Sequence, residues 1–124
     1  MKAPVNGQLV MVVDDDEDLR EMIALVLEAH GYRTQAAVDG VDALGQIEAG
    51  AKPTLVLLDL RMPRMNGTEF LAALGDRTQR DIPVVVITGD LGGAREALAA
   101  GARTCVRKPI DMDALLDTVR QHAA

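Results

Sequence analysis

The stretch MVVDDDED, residues 11–18, runs an apolar segment directly into five consecutive acidic side chains, Asp14 to Asp18. Two carboxylates about 4 Å apart repel by roughly 4 kcal/mol at an effective dielectric near 20, so water must screen such a run or a positive charge must sit within it. Two readings fit. The acids can be the solvated first turn of a helix, whose N-terminus favours negative charge, or they can surround a cation. In both readings a strand ends at about Val13 and a helix begins within the acidic run.

Working outward, QLVMVV (8–13), TLVLL (54–58) and PVVVI (83–87) are nearly continuous in apolarity, which suits strands buried on both faces. YRTQAA (32–37) and RTCVR (103–107) are more polar, as edge strands are. Amphipathic segments separate these runs. The clearest covers 17–30, where Leu19, Met22, Ile23, Val26 and Leu27 recur at helical spacing and Gly31 supplies the stop. Further helices are expected over 40–49 (Val41, Leu44, Ile47), 67–75 (Phe70, Leu71, Leu74), 91–100 (Leu91, Ala94, Leu98) and 112–122 (Leu115, Leu116, Val119).

Composition bounds what this pattern can do. The 124 residues, 48% hydrophobic and 26% charged, suffice for one globular domain with its own core and are too few for two ordinary ones. Net charge is −6 and no cluster of Lys or Arg forms a stripe, which disfavours direct binding to nucleic acid or an anionic membrane. A cation or a basic protein surface fits better. The opening MKAPVNGQLV is short and polar for a signal peptide, and no apolar stretch approaches a membrane span, so a cytoplasmic location is expected. The single cysteine, Cys105, excludes an internal disulfide and a Cys-rich zinc site. His30, near a helix end, and His122, near the C-terminus, lack metal-ligand spacing and read as structural.

Five strand–helix pairs in a chain of this length imply an α/β fold, a parallel sheet with helices on both faces and right-handed crossovers. Ligands of such sheets bind beyond the carboxyl ends of the strands, where the winding direction reverses. The acidic run follows the first strand, Asp59 ends the third, Thr88 the fourth and Lys108 the fifth. All four groups are therefore expected in one crevice.

The segments that converge there, VVDDDED, LLDLRMPRMNG, VVVITGD and VRKPI, make the chain resemble the receiver domain of two-component response regulators over essentially its whole length. Each segment is weak alone; their order and spacing together are specific. The resemblance implies a single-domain, doubly wound, flavodoxin-like (βα)5 sandwich whose five-stranded sheet has the order 2-1-3-4-5. It implies a receiver over residues 1–124, with its core at about 8–122 and no output domain. It implies that Asp59 accepts a phosphoryl group from the phosphohistidine of a sensor histidine kinase or a histidine phosphotransfer protein, and that changed contacts with a downstream protein carry the effect. Such a switch, with intrinsic phosphotransfer and autodephosphorylation chemistry, is not expected to be an enzyme in the ordinary sense.

The residue types suit that chemistry. A carboxylate can form an acyl phosphate, but the incoming group is anionic and must be neutralised, which calls for Mg²⁺. That ion takes hard oxygen ligands and keeps several waters, so two or three carboxylates and a carbonyl suffice. By similarity, Asp15 and Asp59 ligate it directly, Asp14 through water, and the backbone carbonyl of Arg61 completes the set. Asp16, Glu17 and Asp18 then begin the solvated helix. Without the ion, the crowded acids are expected to titrate together with at least one pKa raised. Thr88 would donate to one phosphoryl oxygen and Lys108 would pair with another, although alone the first reads as a helix cap and the second as a loop residue. In the family the Lys-Pro bond, here Lys108–Pro109, is typically cis. Gly67 and Pro63 read as loop-shaping, and Gly89 as leaving room beside the pocket.

The chain also departs from the pattern. Three residues before the lysine, where receivers usually carry Tyr or Phe, stands Cys105, and Ile110 follows the Lys-Pro pair where Phe is common. The usual signal to the surface of helix 4, strand 5 and helix 5 is thereby in doubt. Arg61 and Asp90, two residues beyond Asp59 and Thr88, occupy positions that tune acyl-phosphate lifetime in the family, and a contact between them is expected to cover part of the site.

Competing functions leave their own marks. A Mg²⁺-dependent phosphatase of the haloacid-dehalogenase type would use Asp14 as nucleophile and Asp16 as its second aspartate, but Asp18 stands where a Thr or apolar residue belongs and no cap insertion follows. An EF-hand would take Asp14, Asp16 and Asp18 as ligands, but Leu19 and Leu25 replace its Gly and terminal Glu. No Gly-rich phosphate loop follows the first strand, which removes a nucleotide-binding module.

Overall fold

The computed structural model of the chain describes residues 8–61, 65–78 and 82–123; Pro63, read above as loop-shaping, lies outside them. Strands and helices alternate among the described residues: β1 (Leu9–Val13), α1 (Glu17–Ala29), β2 (Arg33–Ala37), α2 (Gly40–Glu48), β3 (Leu55–Asp59), α3 (Gly67–Thr78), β4 (Val84–Thr88), α4 (Leu91–Ala99), β5 (Thr104–Arg107) and α5 (Met112–His122). All pairings are parallel, in the order β2-β1-β3-β4-β5. This is the flavodoxin-like arrangement expected from the sequence, with the two polar strands at the edges.

The continuous apolar runs are explained by two cores. Along each central strand successive side chains alternate between faces. Met11, Val13, Val56, Leu58, Val84 and Val86 pack with α2, α3 and α4 through Leu44, Phe70, Leu74 and Ala97. Val10, Val12, Leu55, Leu57, Val85 and Ile87 pack with α1 and α5 through Ile23, Leu27, Leu115 and Val119. Every one of these strand residues is essentially sealed from water. Burying each such side chain contributes about 1.5–3 kcal/mol relative to leaving it exposed.

Aspartates start the helices. Asp16, Asp39, Asp90 and Asp111 are N-caps of α1, α2, α4 and α5, each accepting a hydrogen bond from a backbone N–H of the first turn. The stop of α1 is as specific. Gly31 has φ of 93°, and the N–H groups of Gly31 and Tyr32 donate to the carbonyls of Glu28 and Leu27, closing the helix with a left-handed glycine. Helix α3 runs to Thr78, past the 75 expected, because its last residues are polar and carry no apolar periodicity that would have extended the reading.

Candidate functional site

The carboxyl ends of the central strands hold the buried polar residues of the described chain other than Asp39: Asp14, Asp59 and Thr88, each 4% exposed or less. The pleat arranges them. Asp14 continues the Val10–Val12 row and Asp59 the Leu55–Leu57 row, both on the α1–α5 side, whereas Thr88 continues Val84–Val86 on the other.

Asp14 is held at three points. Its N–H donates to the carbonyl of Ala37 at 3.1 Å. Its Oδ1 accepts from the N–H of Asp16 at 2.9 Å, and its carbonyl accepts from Nη1 of Arg20 at 2.7 Å. The remaining oxygen, Oδ2, is buried with no hydrogen-bond partner. Asp59 Oδ1 accepts from the N–H of Arg61 at 3.2 Å, and its Oδ2 lies 3.5 Å from Nζ of Lys108. One oxygen from each of Asp14, Asp15 and Asp59 falls within 4.8 Å of the others. Burial pushes the Asp14 carboxyl up to about 6, and the neighbouring Asp59 carboxylate adds to this; the Asp16 N–H and Lys108 oppose it.

A buried acceptor without a donor is rare in folded proteins. Here it belongs to a carboxylate that brings an oxygen close to those of Asp15 and Asp59, the donor set that a small divalent cation prefers. Across the cleft, Thr88 Oγ1 accepts from the N–H of Asp90 at 3.0 Å, and the backbone N–H of Lys108 donates to the carbonyl of Thr88 at 3.0 Å. The Lys108–Pro109 bond is cis. A cavity of about 420 Å³ lies between these groups, lined by Asp59, Arg61, Thr88, Gly89, Asp90 and Lys108. The site thus combines a crowded acidic wall with a hydroxyl and an ammonium, a combination suited to holding an anion against a cation.

One expectation is corrected. Arg61 and Asp90 both line the cavity, but no ion pair joins them among the described residues; Asp90 Oδ1 accepts instead from the N–H of Gly92 at 3.0 Å, capping α4. Gly89 lines the cavity, and a Cβ there would meet Lys108 Cβ at an ordinary 3.7 Å. The close approach is at Gly67, where a Cβ would sit 2.2 Å from Leu60 Cδ2. Cys105 is half-buried against the α2–α4 core, and burial raises its thiol pKa, with Arg107 opposing, so it is no reactive nucleophile. Asp16 is exposed, with its carboxylate capping α1 through Leu19, which removes the second aspartate that a haloacid-dehalogenase site would need. Sequence reading passed over Arg20, a charged residue on a helix flank; the available signal was that helical side chains lean toward the N-terminus, here toward the acidic run.

The family model for the response regulator receiver domain matches residues 10–120. The chain is a member of that family. Sporulation initiation phosphotransferase F of Bacillus subtilis is 34% identical over 118 residues, covering 94% of each chain. The C4-dicarboxylate transport transcriptional regulatory protein DctD of Pseudomonas aeruginosa is 36% identical over 122 residues, covering 96% of this chain but only 26% of that protein. Against response regulator MprA of Mycobacterium sp. the chain spans 48% of the relative's length. Among solved structures, chemotaxis protein CheY4 of Vibrio cholerae superposes with a TM-score of 0.85 at 30% identity, covering 93% of this chain and 98% of that one. The receiver domain of NtrX from Brucella abortus gives 0.84 at 31% identity, covering 92% and 97%. This receiver is therefore a signalling module of two-component systems, and no helix of its described residues is long and apolar enough to cross a membrane.

Proposed function

We propose that the receiver takes a phosphoryl group from a phosphohistidine onto Asp59, with Asp14, Asp15, Asp59 and the carbonyl of Arg61 holding Mg²⁺. The supporting observation is the orphaned Oδ2 of Asp14 in a carboxylate that clusters with those of Asp15 and Asp59, with Lys108 Nζ 3.5 Å from the acceptor. When bound, the ion supplies positive charge where phosphoryl and carboxylate oxygens meet. The rest is the work of the chain. One Asp59 oxygen forms the O–P bond as the P–N bond to imidazole breaks, the Arg61 N–H steadies the other oxygen, and Lys108 and Thr88 each neutralise or hydrogen-bond a phosphoryl oxygen.

The donor in this reading is a sensor histidine kinase or a histidine phosphotransfer protein in the cytoplasm, and the output is a protein contact changed by phosphorylation. Incubation with a small phosphodonor and Mg²⁺, followed by intact-mass measurement, tests it. Phosphoryl uptake that a chelator and Asp59→Asn both abolish is the expected result; a phosphoryl group mapped to Asp14 overturns it in favour of the phosphatase mechanism.

A further inference from the structure

Among the acids of the cluster, Asp15 lacks an anchor of its own. Asp14 is buried and tied through Oδ1 to the Asp16 N–H, and Asp59 is tied to the Arg61 N–H and Lys108. Asp15 is exposed, and no hydrogen bond to its carboxylate occurs among the described residues. What restrains it is the peptide on its N-terminal side. The carbonyl of Asp14, which belongs to the Asp14–Asp15 peptide group, accepts a 2.7 Å bond from Arg20 Nη1, reaching back from the first turns of α1. A charge-assisted bond of that length is among the stronger ones a protein makes.

Arg20 could have paired with a carboxylate, since Asp14 to Asp18 stand beside it. It forms no ion pair with any of them among the described residues, and its bond goes to a neutral carbonyl. The carboxylates are left uncommitted while the peptide that sets the direction of Asp15 is locked.

We infer that Arg20 is the positioning residue of the metal site, holding the Asp14–Asp15 peptide so that the Asp15 carboxylate faces Asp14 and Asp59. The inference rests on the Mg²⁺ reading above. Its sign separates it from simple electrostatics. Removing a positive charge near a cation site relieves repulsion, so a charge effect alone makes Mg²⁺ bind more tightly. Loss of a positioning contact to a ligand weakens binding, typically by about 10- to 100-fold.

The test is calorimetric titration of Mg²⁺ into the folded wild type, Arg20→Met and Arg20→Lys, with Mn²⁺ binding read by electron paramagnetic resonance as a second measure. Methionine keeps the apolar stem and removes donor and charge; lysine restores a donor. The expected result is roughly tenfold weaker binding of both ions in Arg20→Met, with most of the loss recovered in Arg20→Lys. Equal or tighter binding in Arg20→Met overturns the inference while leaving the Mg²⁺ site intact. A wild type that ignores both ions overturns the site itself. Circular dichroism establishes that each variant is folded; should Arg20→Met not fold, Arg20→Leu, which also lacks a donor, replaces it and the same sign decides.

Discussion

At the ends of β1 and β3 three carboxylates bring oxygens within 4.8 Å of one another, and one oxygen of Asp14 is buried with no donor. At the ends of β4 and β5 the groups are already satisfied: Thr88 Oγ1 accepts from Asp90, and Lys108 faces Asp59. The acidic half is unfavourable by itself, because burial and like charge both oppose ionisation of Asp14, whereas the opposite half costs the fold little. The difference assigns the two halves different sensitivities. The first should respond to cations and pH, and the second to an anion arriving in the cleft.

Asp59 belongs to both halves, so the largest effect falls there: Asp59→Asn should abolish phosphoryl uptake in the intact-mass assay, and uptake that persists would break the division altogether. Lys108→Ala comes next. It should slow phosphorylation by roughly 100-fold, the usual loss when one donor to a developing negative charge is removed, while calorimetry finds Mg²⁺ affinity unchanged or higher. A parallel fall in both would show that the halves are not separable.

Asp14→Asn sharpens the comparison through pH. The folded-state pKa of about 6 lies above the ordinary aspartate value of 3.8, so the ionised carboxylate destabilises the metal-free fold, fully so above about pH 6 and not at all below about pH 4. The amide should therefore stabilise the metal-free protein by an amount on the order of 2 kcal/mol at neutral pH, a gain that fades as the pH falls toward 4, measured by urea denaturation. The same substitution should weaken Mg²⁺ binding. A gain that does not depend on pH would mean that Asp14 is not under the strain described.

The smallest effect belongs to the satisfied half. Asp90→Ala removes the cap of α4 and should cost about 1 kcal/mol of stability, with Mg²⁺ affinity unaltered. An altered affinity would tie the α4 cap to the acidic half after all.

The strands were legible because each central one is apolar on both faces, and the helix starts because aspartate stands before the first turn of α1, α2, α4 and α5. Asp14, Asp15, Asp59, Thr88 and Lys108 could be placed in one crevice since each ends a strand or follows one. The Arg61–Asp90 contact failed for a local reason: Asp90 has a nearer donor in the Gly92 N–H, and a carboxylate satisfied by its own helix is not free to reach across a cleft. At Gly67 the Leu60 side chain would have to move for a Cβ, whereas at Gly89 a Cβ would meet Lys108 Cβ only at ordinary contact distance, a difference that no local sequence signal carries.

By itself the sequence determined which elements form, in what order, and which residue type stands at each strand end, because periodicity, capping and turn chemistry act over a few residues. Only the tertiary structure decided that Asp14 and Asp59 share a face, that one Asp14 oxygen is sealed without a donor, and that Arg20 grips the peptide before Asp15. The first two relations depend on the pairing of β1 with β3 and on the register that sets Val13 against Leu58. A shift of one residue in that pairing would turn the carboxylates to opposite faces, and the register is held by packing between residues far apart in the chain.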